Sequence, residues 1–260
     1  MTYGDAAFLG LVQGLTEFLP VSSTAHLLFA EKALGMGVKK DLYPEMATHL
    51  GTVAAVLVYY RGVFAGLLRE TIRGGPGRRT TLLVILATAM LGVVIAVHKA
   101  FPAVKEWRFD VKVASLGLMG VGVFLVATKW ARRGTGEPTV LTSIAMGLAQ
   151  CVAAIVTGCS RSGSTIGTGL FLGLDAAAAA RFSFFMSIPA VVGGSLYEML
   201  HEKAPFDAAD TLPILLAGVV AFVAGLAAIH ALLTLVGRGR LYWFGPYCIA
   251  VGVAAFIWLA

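Results

Sequence analysis

Apolar positions dominate this chain, and the lengths of their runs divide it into two kinds of segment. A helix that crosses a bilayer needs about 20 mostly apolar residues, whereas runs of about 10–14 suit re-entrant segments or buried helices. Six runs meet the longer criterion, near 46–68, 80–98, 111–130, 177–200, 211–236 and 241–260. Two regions do not. Residues 6–16 are uncharged, Glu17 interrupts them, and 18–30 follow, with Pro20 and Ser22, Ser23 and Thr24 at the junction. Residues 140–160 hold Gln150 and break at Thr157 and Gly158 before Arg161, and 162–174 continue the apolar run. Each region predicts a short helix, a polar break and a second short helix. Non-helical backbone at membrane depth is tolerated only where protein buries it or a cavity lies beside it, so both hairpins are expected to point inward.

The two breaks share a pattern. Gly10-Leu-Val-Gln13 recurs as Gly147-Leu-Ala-Gln150, an offset of 137 that also pairs Ser23 with Ser160. A broken hairpin followed by three spans occurs twice, which predicts one membrane domain built from repeats at about 1–133 and 138–260. Three spans per copy is an odd number, so the second copy is expected to be inverted. At the same offset Glu17 meets Ala154, Thr24 meets Arg161 and His26 meets Gly163, so one copy would bring the acid and the histidine and the other the arginine.

Composition agrees with the run lengths. Of 260 residues, 58% are hydrophobic and only 13% are charged, against about 25% charged in soluble domains. That leaves too little polar surface for a soluble enzyme or a disordered linker. The net charge of +6 is scattered between apolar runs and forms no basic patch, so nucleic acid is not an expected partner. Arg69, Arg73, Arg78, Arg79, Lys129, Arg132, Arg133, Arg238 and Arg240 fall in alternate loops, against Lys39, Lys40, Lys99, Lys105, Arg108, Lys112 and Lys203 in the others. The positive-inside rule places the first set in the cytoplasm, so the hairpins enter from opposite faces and their breaks meet near mid-membrane. Cys151, Cys159 and Cys248 lie in apolar runs without metal-ligand spacing and read as packing residues. The fold class expected is an all-α polytopic membrane protein, with about six transmembrane helices and two broken re-entrant hairpins in an inverted-topology repeat.

Ionisable residues inside membrane segments are costly and mark functional sites. Within the hairpin cores they are Glu17, His26 and Arg161. Gln13 and Glu17 are four apart and share a helix face. Gly158-Cys-Ser-Arg-Ser-Gly-Ser-Thr165 places hydroxyls and a guanidinium at a helix start, an arrangement suited to phosphate. A carboxylate, hydroxyls and an anion clamp together form an inventory for phosphoryl transfer.

Gln13-Gly-Leu-Thr-Glu17-Phe-Leu-Pro-Val-Ser-Ser-Thr24-Ala-His26 closely resembles the first motif of the undecaprenyl-diphosphate phosphatase, or bacitracin-resistance protein, family. Thr157-Gly-Cys-Ser-Arg-Ser-Gly-Ser-Thr165 resembles its second, written Pro-Gly-x-Ser-Arg-Ser-x-x-Thr, and the stretch from Arg181 to Pro189 is also similar. The resemblance runs over essentially the whole chain. It implies an integral-membrane phosphatase of the bacterial plasma (inner) membrane that acts on a C55 polyprenyl diphosphate. Such an enzyme recycles the lipid carrier of cell-wall synthesis through a site open to the outer, periplasmic face. It implies a divalent cation, Mg2+ or Ca2+, with Glu17 as its ligand; oligomeric state is left open, a homodimer included. Carried over residue by residue, the catalytic set is Glu17, Ser23, His26 and Arg161. The diphosphate-binding set is Gln13, Ser160, Arg161, Ser162 and Thr165. Gln13 stands where the family uses Glu or Gln, which argues against a two-carboxylate metal site, and Thr157 replaces the family's proline.

Several roles stay open at this level. Glu17 is a metal ligand, a general base, or both. Ser23 is either the nucleophile, activated by Glu17 or His26, or a donor to phosphate while water attacks. His26 is an acid, a base, an orienter or a satisfied core histidine. His49, His98, His201 and His230 read as structural, and Arg61, Arg181 and Glu198 as packing or interface anchors. The rival function is a secondary transporter or flippase for a polyprenyl phosphate lipid, because broken helices in inverted repeats are also its signature.

Overall fold

The computed structural model describes residues 1–33, 42–132, 134–201 and 207–260. Lys39, Lys40, Arg133 and Lys203 of the loop-charge pattern lie outside these residues, as do the side chains of Lys105, Arg108 and His201. In chain order the helices are α1 (Tyr3–Phe18), α2 (Ser23–Ala33), α3 (Leu42–Tyr59), α4 (Arg61–Arg73), α5 (Gly77–Ala89) and α6 (Gly92–Ala100). They continue with α7 (Val111–Ala127), α8 (Val140–Ile155), α9 (Arg161–Phe171), α10 (Ala176–His201), α11 (Thr211–Gly237) and α12 (Phe244–Trp258). Among the described residues the only β pairing is an isolated bridge between Gly136 and Leu174.

Five stretches are long and apolar enough to cross a membrane: Gly77–Ala100, Val111–Trp130, Ala176–Leu200, Ala208–Gly237 and Leu241–Trp258. The sixth expected span, near 46–68, is not straight. It is the pair α3 and α4, bent by 78° at Tyr60. Past the bend, α4 carries Arg61, Arg69, Glu70 and Arg73 and buries no residue fully, while Phe64 packs on Phe185 at the edge of the core. The expected span over 80–98 also has a joint, at Met90 and Leu91 between α5 and α6.

Side chains such as Leu82, Ile85, Leu215, Val219 and Val223 are more than half exposed on the spans. Apolar side chains exposed along helices of this length suit lipid rather than water, and the chain is a multi-pass membrane protein. Inside, helices meet through small residues, which allow close backbone approach where lipid offers no hydrophobic drive. A Cβ on Gly10 or Gly14 of α1 would strike the carbonyls of Ala217 and Ala221 on α11, and one on Gly147 of α8 would strike that of Ala87 on α5. The α1–α11, α3–α11 and α7–α12 pairs are the most extensive helix contacts.

In both regions the structure has a short helix, a break and a second short helix where the run lengths place them. Shifted by 137 positions, Tyr3–Phe18 falls on Val140–Ile155 at both ends. The caps match as well. The Thr2 side chain accepts from the backbone of Asp5 in α1, and that of Thr139 accepts from Thr142 in α8, satisfying N–H groups that a helix start leaves free. Each break then contains one residue in the left-handed region, Ser22 (φ 65°) in the first and Gly158 (φ 90°) in the second.

Candidate active site

The two breaks touch each other. Ser162 Oγ, in the first turn of α9, donates to the Leu19 carbonyl at 3.1 Å, and a Cβ on Gly163 would crowd Pro20 and Ser160. Cys248 Sγ of α12 donates to the Pro20 carbonyl at 3.4 Å. On the far side, Gly117 of α7 lies against the Thr157 carbonyl, and Gly158 lies against that of Ala114. The breaks are thus clamped between α7 and α12, which pack on each other.

This clamp brings Glu17 at the end of α1 against Arg161 at the start of α9. Arg161 Nη2 donates to Glu17 Oε1, with the carboxylate 8% and the guanidinium 22% exposed. Glu17 Oε2 accepts from Ser23 Oγ at 2.7 Å and from Gln13 Nε2 at 2.9 Å. A carboxylate buried to this degree needs a paired charge and hydrogen bonds on both oxygens, and here it has them. Ser160 caps α9, its Oγ accepting from Gly163 N at 3.2 Å. That leaves the first N–H groups of α9 at the same end as the Arg161 side chain.

A cavity of about 230 Å³ opens over this cluster, lined by Glu17, Ser22, Ser23, Thr24, His49, Gln150, Ser160 and Arg161, with Leu91, Ala190 and Val191 among its apolar walls. Of the expected site residues, Glu17, Ser23, Ser160 and Arg161 line it, and Gln13 supports Glu17 from behind. Ser162 and Thr165 face elsewhere. Ser162 ties the breaks together, and Thr165 Oγ1 donates to the Arg161 carbonyl at 2.8 Å and lies 2.7 Å from Ser183 Oγ on α10. His26 is engaged at both ring nitrogens, Nδ1 with the Ser22 carbonyl at 2.9 Å and Nε2 with Tyr247 Oη at 2.8 Å. A carbonyl only accepts, so Nδ1 carries a proton and the neutral ring's Nε2 accepts from Tyr247. The two rings also stack, with centroids 5.7 Å apart.

Two lining residues were not expected. His49, read as structural from the sequence, lies on α3 and lines the same cavity as Glu17. Gln150 was visible only as a polar residue in an apolar run. A lone histidine in a span has no local signal to mark it, because its place in the cavity is set by the packing of α3 on α1.

Next to this polar cavity lies an apolar one of about 350 Å³, lined by Trp107, Val113, Leu116, Gly117, Gly120, Val121, Val156 and Cys159. Cys159 lines both. Among the described residues no group of three His, Cys, Asp and Glu side chains is placed to share a metal ion, so these residues do not build an all-protein metal cage. Glu17 and Gln13 Oε1, which is buried without a hydrogen-bond partner among the described residues, are hard oxygen donors. They fit Mg2+ or Ca2+ when the ion's other ligands come from phosphate.

Fold and site together define an integral-membrane protein organised around a buried polar pocket with a guanidinium and a helix N-terminus, the equipment of an anion site. The chain belongs to the family described as bacitracin resistance protein BacA, whose model matches residues 6–254. It is similar to proteins named undecaprenyl-diphosphatase. One, from Syntrophotalea carbinolica, is 38% identical over 97% of each chain. That from Desulfatibacillum aliphaticivorans is 35% identical over 99% of each. A third, from Corynebacterium diphtheriae, is 35% identical over 100% of this chain and 95% of its own.

Proposed function

We propose that this chain hydrolyses undecaprenyl diphosphate to undecaprenyl phosphate and inorganic phosphate, recycling the lipid carrier of the bacterial cell wall. The relatives' name supports the substrate. The observation that carries the chemistry is the line of contacts from Ser23 Oγ through the Glu17 carboxylate to Arg161. A hydroxyl 2.7 Å from a carboxylate is a nucleophile within reach of its base. Ser23 Oγ attacks the terminal phosphorus and gives its proton to Glu17 Oε2. The bridging P–O bond breaks, and its electron pair leaves with the polyprenyl phosphate. Water then attacks the phosphoserine, the Ser23 O–P bond breaks as Glu17 returns its proton to Ser23 Oγ, and inorganic phosphate departs carrying the water's oxygen and proton.

Arg161 is suited to both stages. Its Nη2 holds Glu17, while Nη1 is buried without a partner among the described residues. A guanidinium so placed can steady the base with one nitrogen and the phosphoryl oxygens with the other. Ser160 and the start of α9 add donors to the same side. His26 acts as a positioning residue, holding the Ser22 carbonyl and with it the break that presents Ser23. A divalent cation on Glu17 and Gln13 Oε1 would neutralise charge on the diphosphate when bound. The apolar cavity that shares Cys159 with the polar one suits the first isoprene units of the tail.

The two halves, about 1–133 and 138–260, are read as inverted repeats of one domain, with the bent α3–α4 pair counted as a span. The loop-charge pattern supports a pocket open to the outer face of the plasma membrane. The test is phosphate release from polyprenyl diphosphate by purified protein in detergent, with and without divalent cation. Release is expected. Its absence from folded protein, while proteoliposomes still move lipid phosphate across the bilayer, would establish the transporter reading instead.

A further inference from the structure

Gln150 lies on α8 and is 2% exposed, and neither its Nε2 nor its Oε1 has a hydrogen-bond partner among the described residues. Buried side-chain amides are ordinarily satisfied, and one left wholly unpaired weakens the fold. Gln13 occupies the matching position of α1, and the difference between the two is informative. Gln13 Nε2 has Glu17 one turn further on to bond. One turn beyond Gln150 stands Ala154, which offers no partner and lines the polar cavity along with Gln150 itself. The second hairpin therefore keeps the amide at a place where the protein gives it nothing to hold, facing the cavity that Glu17, Ser23 and Arg161 also line. An unpaired polar group that lines a cavity takes its partner from what enters the cavity, water or a ligand.

We propose that Gln150 is a headgroup-binding residue, its Nε2 donating to a phosphoryl oxygen of the diphosphate between Ser23 and Arg161. The inference rests on the phosphatase reading above. Ionised phosphoryl oxygens only accept hydrogen bonds, so the NH2 end of the amide faces them and the reach of a glutamine side chain spans from α8 into the pocket. With Arg161 Nη1 it forms a pair of donors that are unpaired before substrate arrives. Binding the diphosphate satisfies both.

Gln150→Leu and Gln150→Glu test this. Leucine removes the unpaired amide at similar size, so the protein is expected to melt at a higher temperature than wild type. Its KM for polyprenyl diphosphate is nevertheless expected to rise about tenfold, the loss of one good hydrogen bond to a charged group. Glutamate keeps the shape, loses the donor and adds negative charge, and is expected to bind substrate more weakly still. Inorganic diphosphate should raise the melting temperature of the wild type, and raise that of either variant less at the same concentration. A leucine variant with lower stability would identify the amide as structural, and one with wild-type KM and an undiminished shift by diphosphate would remove it from the site; either overturns the proposal. Should the wild type release no phosphate at all, the phosphatase reading falls. The diphosphate-induced shift still decides whether Gln150 binds an anion.

Discussion

The first and second hairpins have nearly the same backbone and divide the chemistry between them. Both run from a capped helix of equal length through a break with one left-handed residue into a second helix. The first carries the carboxylate and the hydroxyl that contacts it, and the second carries the guanidinium and a capped helix start. Neither half holds a usable site, because a buried Glu17 or Arg161 alone would be an uncompensated charge. The ion pair across the junction therefore sits in the candidate site and is part of what joins the two regions. A repeated backbone supplies matching positions, and divergence at a few of them, Glu17 against Ala154 and Thr24 against Arg161, makes them complementary.

The largest effect is expected from cutting that division of labour at the ion pair. Glu17→Gln and Arg161→Ala should each lower phosphate release by about 10³-fold or more, the scale of losing a key electrostatic group. Each should also destabilise the protein, by about 3 kcal/mol for Glu17→Gln, because Arg161 is left buried without its charge partner. Wild-type turnover in either variant would take that residue out of the mechanism and leave the contact purely structural.

How far this comparison could be seen in the sequence depended on distance along the chain. Run lengths, Pro20 and the Thr157–Gly158 pair located both breaks, because hydropathy and backbone preference are local properties. The bend at Tyr60 was not visible, because a hydropathy window registers how apolar a stretch is and not its direction. The two motifs named the residues that meet, yet motif spacing could not tell Ser160, which faces the pocket, from Ser162, which bonds the Leu19 carbonyl. His49 gave no signal at all, since its neighbour Glu17 lies 32 positions away on another helix.

The left-handed residues allow a second, smaller test. Gly158 has no Cβ to strike the Ala114 carbonyl and sits where a positive φ suits glycine. Gly158→Ala adds both a steric clash and a backbone penalty, and is expected to destabilise by at least about 2 kcal/mol, seen as a lower melting temperature. Because α7 would be pushed from the second break, phosphate release should fall with stability. An unchanged melting temperature would mean that α7 does not hold the break.

The apolar cavity adjoins only the second hairpin, through Val156 and Cys159, so the two hairpins should also differ in how they sense the tail. A Cβ at Gly120 meets nothing within 4 Å, which makes it a place where bulk fills the cavity without disturbing the helix packing. Gly120→Trp is expected to raise KM for the C55 substrate about tenfold, the value of a few buried methylenes. A short-chain prenyl diphosphate should be hydrolysed as by wild type. Equal effects on both substrates would place the tail elsewhere.

The smallest effect is expected at Ser22, which carries the left-handed turn of the first break, one position off the register of Gly158, and is the only residue other than glycine with positive φ among those described. A non-glycine residue held there costs about 1–2 kcal/mol, and strain of this kind tends to persist where function needs the geometry. Ser22→Gly relieves it, but it also loses the Ser22 Oγ contact with Ala25 N and adds freedom to the unfolded chain. The carbonyl that His26 holds remains in place. These terms oppose one another, so stability should move by less than about 1 kcal/mol and phosphate release by no more than about threefold. Thermal melting and turnover measured on the same preparation read both. A glycine variant that melts like wild type but releases no phosphate would show that the Ser22 hydroxyl, which lines the pocket, serves the substrate directly. The first break would then differ from the second in chemistry even at the residue that makes their backbones alike.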